Sequence, residues 1–422
     1  MNGELLRQVR ILDPVSGTDR VADVSIAEGQ ITAIAPPSHS QPDNTKVINC
    51  QDKILAPGLT DLYSHSGEPG YENRETLASL AAAALAGGFT RVALLPDTLP
   101  VIDTPSTLEF LQRWQQQQLR ASTPHFYAWG AISQNLEGKQ MTELAELAQR
   151  GAIGFADGYP LQNWGLLRRF LEYAAPLKKP IALVATNKQL KGNGIMREGQ
   201  LSVRAGLAGD PAVSETAAIA SLLEIVAATG TLIHLMRIST ARGVELIAEA
   251  KERGLPLTAS TSWMYLLLDT EAVCSYDPHL RLEPPLGNIE DRKALIQGVK
   301  TGVIDAIAVD HAPYTYEEKT VAFAEAPPGA IGLELALPLL WDRFVETGEW
   351  TAVELWRRLS SEPQRCLGLS PIRCAVGEKA ELVLFDPHRA QTVNRSMLHS
   401  LSANTPWFNK TIRGRVLQTW LG

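Results

Sequence analysis

Short apolar runs alternate with amphipathic helical patterns along most of this 422-residue chain, from Leu59 to Asp310. This alternation is typical of βα units around a parallel sheet, because each helix returns the chain to the edge where the next strand begins. Helix signals support it: 104–118 opens with Thr-Pro, and 214–230 and 241–254 end in glycine. The apolar runs are LTDLYSH (59–65), FTRVALLPD (89–97), FYAWGAI (126–132), GAIGFAD (151–157), IALVAT (181–186), LIHLMR (232–237), LPLTAST (255–261) and IDAIAVD (304–310).

Eight strands interleaved with helices predict a TIM (β/α)₈ barrel, whose usual length is about 250 residues. The sequence pattern at both ends of the chain is different: it predicts short strands joined by tight turns. VSIAEG followed by QITAIAP (24–36) predicts a hairpin with glycine at its turn, and 377–387 is also β-rich. We therefore predict that 57–368 forms the barrel, and that 1–56 and 369–422 together form a small composite β domain.

The composition of the chain limits which kinds of partner it can bind and in which cellular compartment we expect it. The formal net charge of −7 argues against nucleic acid or an anionic membrane as the main partner. No apolar run approaches the roughly 20 residues of a membrane-spanning helix, and the first residues lack the apolar stretch of a signal peptide. Four cysteines without Cys-x-x-Cys spacing suit a reducing compartment, so we expect a cytoplasmic protein.

In a TIM barrel the reacting groups lie at the C-terminal ends of the strands. His65, Asp157 and Asp310 end the first, fourth and eighth apolar runs and are the candidate inward-pointing metal ligands. A catalytic zinc needs three protein ligands, so this set is minimal. His234 lies three residues before Arg237, and strand alternation predicts that it faces away from the barrel mouth. A Gly-x-Ser-x-Gly nucleophile motif is missing from the sequence.

Motifs in six segments add a second line of inference. They are 56–103, 197–216, 239–247, 283–295, 307–334 and 403–416. Together, and in the same order along nearly the whole chain, they resemble class I dihydroorotases of the cyclic amidohydrolase superfamily. The resemblance implies an amidohydrolase-type barrel with a composite β domain, which agrees with the strand pattern.

The positions that bind metal in the family are mostly replaced here. Of the His-x-His pair on the first strand, Tyr63 stands at the first position and only His65 remains. The histidines of the fifth and sixth strands correspond to Val184 and Arg237. Asp310, which the resemblance implies as general base and metal ligand, is retained. Because valine has no lone pair and arginine cannot be deprotonated, the resemblance implies that most of the zinc ligands are missing.

The positions that hold the substrate in the family are replaced as well. Gly67 and Gly287 stand where the family has arginines that bind the substrate carboxylate, and Asp97 stands in place of a contacting asparagine. Asp157 corresponds to the bridging aspartate or modified lysine of the fourth strand, and Tyr314 replaces the last histidine of the DHAPH motif. Without the two arginines, a carboxylate substrate loses its bidentate partners.

These replacements favour a protein that is not an enzyme. The hypothesis is a non-catalytic dihydroorotase-like protein of pyrimidine biosynthesis, oligomeric and without a cofactor, which acts as a structural partner of aspartate carbamoyltransferase, as the resemblance implies. One alternative is a divergent cyclic amidohydrolase with one zinc ion at His65, Asp157 and Asp310; another is a regulator that binds a small ligand. We also predict that the Arg237 guanidinium pairs with Asp310, because neighbouring carboxylates need a cation.

Overall fold

The chain begins with strands that form a sheet beside the barrel. The computed structural model describes residues 3–38, 45–118 and 123–422. Strands β2 and β3 form the predicted hairpin, and Gly29 at its turn has a left-handed φ of 72°. The first five strands are β1 (Gly3–Asp13), β2 (Thr18–Ala27), β3 (Gln30–Ala35), β4 (Thr45–Asn49) and β5 (Ile54–Pro57).

The next strands build the barrel. They are β6 (Leu59–Ser64), β7 (Phe89–Leu94), β8 (His125–Gly130), β9 (Gly154–Phe155), β10 (Ala182–Val184), the paired strands β11 (Met196–Arg197) and β12 (Gly209–Asp210) outside the barrel, then β13 (Ile233–Met236), β14 (Leu257–Ser262) and β15 (Ala306–Ala308).

Two parallel four-stranded sheets close into one barrel. They are β6-β7-β8-β9 and β10-β13-β14-β15. A parallel bridge between Phe155 and Ile181 joins them on one side. On the other side, the His65 amide donates a 2.8 Å hydrogen bond to the carbonyl of His311. All eight predicted strands are present in the predicted order, so the TIM-barrel fold class is confirmed.

Both ends of the chain contribute to one seven-stranded sheet. β16 (Glu381–Thr392) and β17 (Thr411–Leu421) pair antiparallel, and β16 also pairs with β5, which gives the order β17-β16-β5-β1-β2-β3 with β4 beside β1. Glu381 ties this sheet to the barrel by accepting hydrogen bonds from Thr90 (2.7 Å) and Arg91 (2.8 Å). The composite β domain is therefore confirmed, whereas the exact boundaries at residues 57 and 369 stay predictions.

Helices surround the barrel and begin and end near the predicted signals. Pro105 opens α2 after Thr104, and Gly230 ends α7 with a left-handed φ of 65°. In the described parts of the chain, none of the helices is long and apolar enough to cross a membrane. The helices are α1 (Leu77–Ala86), α2 (Pro105–Gln117), α3 (Leu144–Gln149), α4 (Trp164–Ala174), α5 (Lys188–Lys191), α6 (Gln200–Ala205), α7 (Val213–Thr229), α8 (Ala241–Glu252), α9 (Trp263–Leu267), α10 (Thr270–Val273), α11 (Ile289–Thr301), α12 (Tyr316–Lys319), α13 (Ala336–Leu340), α14 (Ala352–Leu359) and α15 (Ser361–Cys366).

Candidate functional site

An arginine–carboxylate pair lies at the C-terminal end of the barrel, just after β13 and β15. Arg237 Nε donates to Asp310 Oδ2 at 2.8 Å, and Arg237 Nη2 donates to Asp310 Oδ1 at 2.6 Å. The third guanidinium nitrogen donates to the carbonyl of Gly158 at 2.8 Å. The Tyr63 ring lies 5.3 Å from the guanidinium carbon, close enough for a cation–π contact. The predicted pairing of Arg237 with Asp310 is confirmed.

The backbone at both residues departs from a regular strand. Arg237 and Asp310 each have a φ of 55°, in the left-handed region that non-glycine residues seldom adopt. Strand alternation therefore stops just before each of them. Met236 is the last residue of β13, and Val309 directly follows β15. The break in alternation after them lets the two charged side chains meet at the barrel mouth.

The same break makes the predicted direction of the His234 side chain wrong, whereas the prediction that His234 does not line the mouth agrees with the residues found there. His234 Nε2 lies 2.8 Å from Ser260 Oγ, which is itself 2.8 Å from the Tyr63 hydroxyl. The imidazole is thus inside the barrel, beneath Arg237 rather than on the opposite side of the strand. Burial, with a smaller contribution from Lys251, lowers the pKa of His234 to about 3, so this histidine is neutral. It does not line the mouth.

His65 connects the arginine pair to a second carboxylate. Its Nδ1 lies 2.5 Å from Asp97 Oδ2, and its Nε2 lies 4.0 Å from Asp310 Oδ1. Burial disfavours the charged imidazole, but attraction to Asp97 and hydrogen bonding with it outweigh burial, so the pKa of His65 is raised. The charge of His65 likewise overcomes burial to lower the pKa of Asp97. The two neighbouring carboxylates therefore favour the charged form of this imidazole.

This arrangement predicts a pH-dependent contribution to stability. A histidine whose pKa is raised by folding stabilises the folded state fully below its unfolded value of about 6.5, and this stabilisation disappears as the pH rises through the folded value. We therefore expect His65→Gln to lose more unfolding free energy, relative to the wild type, at about pH 6 than at about pH 9. Urea unfolding at both pH values measures the difference. His125→Gln, at an exposed histidine, is the matched control; an equal pH trend in both variants would contradict the prediction.

Of the three predicted metal-ligand positions, His65 and Asp310 lie side by side, whereas Asp157 is bound to a different part of the chain. Both carboxylate oxygens of Asp157 accept hydrogen bonds from the loop after β8: Oδ1 from the amides of Ile132 (2.7 Å) and Ser133 (3.0 Å), and Oδ2 from the Ser133 hydroxyl (2.6 Å). The loop hydroxyl and amides thus take up the hydrogen-bonding capacity of the Asp157 carboxylate.

The donor set does not fit the zinc ion that the resemblance implies. Both oxygens of Asp310 bind the Arg237 guanidinium, Val184 offers no lone pair, and the Tyr63 hydroxyl accepts from the Arg237 amide at 3.2 Å. Across residues 3–38, 45–118 and 123–422, no three His, Cys, Asp or Glu side chains are grouped so that they could hold a metal ion.

At Gly67 and Gly287, where the family has arginines, neighbouring atoms occupy the space that a side chain would need. A Cβ at Gly67, where φ is +72°, would lie 2.4 Å from the carbonyl oxygen of Glu75. A Cβ at Gly287 would lie 2.5 Å from the Cβ of Asp291 and 2.9 Å from the carbonyl oxygen of Ser239. Neither position can accept a side chain unless the neighbouring backbone moves. The glycines are thus part of the packing around the mouth.

A cavity of about 160 Å³ opens beside the arginine pair, and an adjoining cavity of about 90 Å³ shares His65, Tyr159, Ala312 and Tyr314 with it. Several residues that line the larger cavity carry no signal in the sequence that would mark them as part of a site. Ser262 is one of them: it ends β14, but the predicted strand stopped one residue earlier. Tyr159, in the loop after β9, carried no periodic signal. The remaining residues of this kind are Met264, Tyr265 and Leu282.

Known proteins share both the sequence and the architecture of this chain. A family model described as Dihydro-orotase-like matches residues 52–243. A probable dihydroorotase-like protein from Synechocystis sp. is 48% identical, over 97% of this chain and 98% of that protein. A dihydroorotase from Syntrophus aciditrophicus is 36% identical, over 98% of this chain and 97% of that protein.

Solved structures share the fold. An L-hydantoinase (dihydropyrimidinase) from Arthrobacter aurescens superposes with a TM-score of 0.85 at 23% identity, over 99% of this chain and 94% of that one. A D-hydantoinase (dihydropyrimidinase) from Thermus sp. superposes with a TM-score of 0.79. These two likenesses concern the fold alone, whereas the sequence relatives align along nearly the full length. On that evidence the chain belongs to the dihydroorotase-like family.

Proposed function

We propose that this protein is a non-catalytic member of the dihydroorotase-like family in pyrimidine biosynthesis and a structural partner of aspartate carbamoyltransferase. The observation that carries the first part is the bidentate contact of Arg237 with Asp310, at 2.8 and 2.6 Å. Ring-amide hydrolysis in this fold needs an activated water and stabilisation of the oxyanion. Here the carboxylate in the position of the family's general base is neutralised by a permanent cation.

The charge balance at the mouth also argues against a carboxylate substrate. Besides His65, the cations that line the two cavities are Arg237 and Arg74. Arg237 binds Asp310, and Arg74 Nε donates to Glu318 at 3.0 Å. A bound substrate carboxylate needs an arginine with free donors, as in bidentate recognition. Both arginines here already have carboxylate partners.

The alternative of a divergent hydrolase with one metal has less support. It requires His65, Asp157 and Asp310 to bind the same ion. However, the Asp157 carboxylate accepts a 2.6 Å hydrogen bond from the Ser133 hydroxyl and further hydrogen bonds from neighbouring loop amides. A metal would also need to displace Arg237 from Asp310. Metal analysis of the purified protein tests this alternative separately from any assay of partner binding.

The role as a structural partner is supported by the contrast between framework and site. The barrel and composite sheet are complete, whereas the positions that act on substrate in the family are substituted. Such a chain keeps an outer shape that a second protein can recognise, and a specific interface needs at least about 1,000 Å² of buried surface. In this family, class I dihydroorotases that assemble with aspartate carbamoyltransferase make that enzyme the natural candidate.

Co-purification tests the assembly. Tagged protein from its native cells should bring aspartate carbamoyltransferase with it, and deletion of the gene should reduce the size and activity of the carbamoyltransferase assembly. A strain that expresses the same tag on an unrelated acidic protein is the control. If deletion leaves both the size and the activity of that enzyme unchanged, the proposed partnership is wrong.

A further inference from the structure

We propose that a groove between the composite β domain and the barrel binds an extended peptide segment of another protein, one that carries basic and apolar side chains. The groove has a volume of about 790 Å³. Residues of β1 and β2 line one side of it, and the segment that leads from α13 into α14 lines the other. Among the described residues, it shares no lining residue with the two cavities at the barrel mouth. A peptide site here adds a function to the proposed structural role.

The floor of the groove, formed by the lining residues that are buried, is apolar and aromatic. It includes Ile54, Trp341, Trp350 and Ala352, each between 2% and 3% exposed. Sites that bind organic ligands combine apolar and aromatic walls with a few polar groups, and they occur preferentially where domains meet. An apolar side chain of a bound segment would be removed from water against this floor, which favours binding.

The rim of the groove is polar and open to solvent. Gln51, Asp52, Glu346 and His388 line it and are exposed. A site for a small metabolite usually encloses most of its ligand. The open rim instead suits a segment whose two ends continue into solvent, as those of a peptide do.

The charges of the lining residues favour a basic segment. Asp19, Asp52 and Glu346 supply three carboxylates against the one guanidinium of Arg10, so the formal charge is −2 when His388 is neutral. Arg10 is already held by Asp19 through two hydrogen bonds of 2.7 Å. Within the described parts of the chain, the Asp52 carboxylate has no ion-pair partner. A lysine or arginine of the bound segment would provide one.

Polar groups of the groove lack partners that a peptide backbone supplies. The indole N–H of Trp350 is buried and has no hydrogen-bond partner among the residues that the structure describes. In the same ranges, the side-chain amides of Gln8 and Gln51 have none either. Buried donors in native proteins are almost always paired. The carbonyl and N–H groups of a peptide provide an acceptor for the indole and partners for both amides.

The backbone is irregular on both sides of the groove. β1 shifts register between Leu6 and Val9, and Gln8 within this bulge has a φ of 53°. Asp52 has a φ of 62°, also in the left-handed region. On the opposite side, Trp341–Val345 form a π-helical turn. Bulges, left-handed residues and π-helical turns are frequent at functional sites, where their local cost is balanced by a role in binding.

Six-residue peptides with blocked ends test the proposal. One alternates leucine with lysine, a second alternates leucine with glutamine, and a third alternates glycine with lysine. Each is titrated into the full chain by calorimetry at about 0.15 M salt, where only nearby charges still attract each other. The leucine–lysine peptide should bind with a Kd below about 1 mM. The other two should bind at least about tenfold more weakly, because each lacks either the charge or the apolar side chains.

Paired variants locate the binding. Asp52→Asn with Glu346→Gln removes two charges of the rim. Asparagine tolerates the left-handed backbone at this position, and glutamine still accepts the 2.7 Å hydrogen bond from Trp341 Nε1. This double variant should bind the leucine–lysine peptide about threefold to tenfold more weakly. Asp342→Asn with Glu378→Gln, at two exposed residues outside the groove, changes the net charge equally and should bind the peptide as the wild type does.

The indole N–H resonance of Trp350, identified by its loss in Trp350→Phe, should shift when the leucine–lysine peptide is added. The proposal is overturned if this peptide does not bind, if the resonance does not move, if the leucine–glutamine peptide binds as tightly, or if the two double variants lose equal affinity.

Sedimentation without peptide examines a second copy of the chain as the occupant. A dimer that only the variant with Asp52→Asn and Glu346→Gln dissociates would place a second copy in the groove and overturn the proposal, whereas a size that is the same in both double variants agrees with it. These measurements need no carbamoyltransferase, so their outcome is independent of the proposed assembly.

Discussion

Replacement of Arg237 by alanine should lower the free energy of unfolding by about 3 kcal/mol, since breaking a buried ion pair leaves an uncompensated charge. The Arg237 side chain is 7% exposed and that of Asp310 is 19% exposed, so neither partner is fully hydrated after the other is removed. The variant also loses the hydrogen bond to the Gly158 carbonyl and the contact with the Tyr63 ring. All three losses act in the same direction.

A surface arginine provides the control for this prediction. Arg242 contacts Glu245 at 2.9 Å and Glu249 at 2.8 Å, but its side chain is 51% exposed. Because water screens such pairs, Arg242→Ala should cost much less unfolding free energy than Arg237→Ala. Urea unfolding of both variants gives the comparison. Equal losses in the two variants would mean that the pair at the mouth contributes no more than a surface ion pair.

A compensating double variant separates the ion pair from simple packing. Arg237→Met combined with Asp310→Leu removes both charges and keeps apolar volume at the mouth. Buried ion pairs can often be replaced in this way at little cost, so the double variant should recover most of the stability lost in Arg237→Ala. If it is no more stable than the single variant, packing of the arginine stem rather than charge explains the effect.

Much of the fold could be predicted from the sequence, because periodicity is a local property. The eight apolar runs and the helix signals between them predict the barrel, and the β-rich ends predict the composite sheet. The contact between Arg237 and Asp310 could be predicted as well, since both follow strands that end at the same rim and carry opposite charges.

The remaining features depend on backbone geometry and on partners that are distant in sequence. Strand alternation cannot indicate that Arg237 has a φ of 55°, and so it placed His234 on the wrong side. Nothing near Asp157 in sequence indicates that Ser133, 24 residues earlier, donates to its carboxylate at 2.6 Å. A polar residue in a loop binds whichever group folding brings to it, and a pattern of residue types does not encode that choice.

The largest expected effect is on catalysis. Dihydroorotate hydrolysis by this protein should not exceed that of a buffer control with the same zinc concentration, whereas enzymes commonly accelerate their reactions by at least about 10⁶-fold. The physical reason is twofold. Asp310 is neutralised by Arg237 at 2.6 Å, so it cannot serve as a free base or ligand. The substrate carboxylate also lacks an arginine with free donors, because Gly67 and Gly287 occupy those positions.

The dihydroorotase from Syntrophus aciditrophicus, 36% identical to this chain, is the positive control under the same conditions. Turnover above the buffer control that Asp310→Ala abolishes would contradict the prediction. No single reversion should restore activity either. Arg237→His frees Asp310 but leaves the substrate carboxylate unbound, and Gly67→Arg places a Cβ 2.4 Å from the Glu75 carbonyl oxygen. The loss of the metal ligands and the loss of the substrate-binding arginines therefore reinforce each other. A restored metal site would still lack an arginine for the substrate carboxylate, and such an arginine cannot be introduced at Gly67 unless the backbone moves.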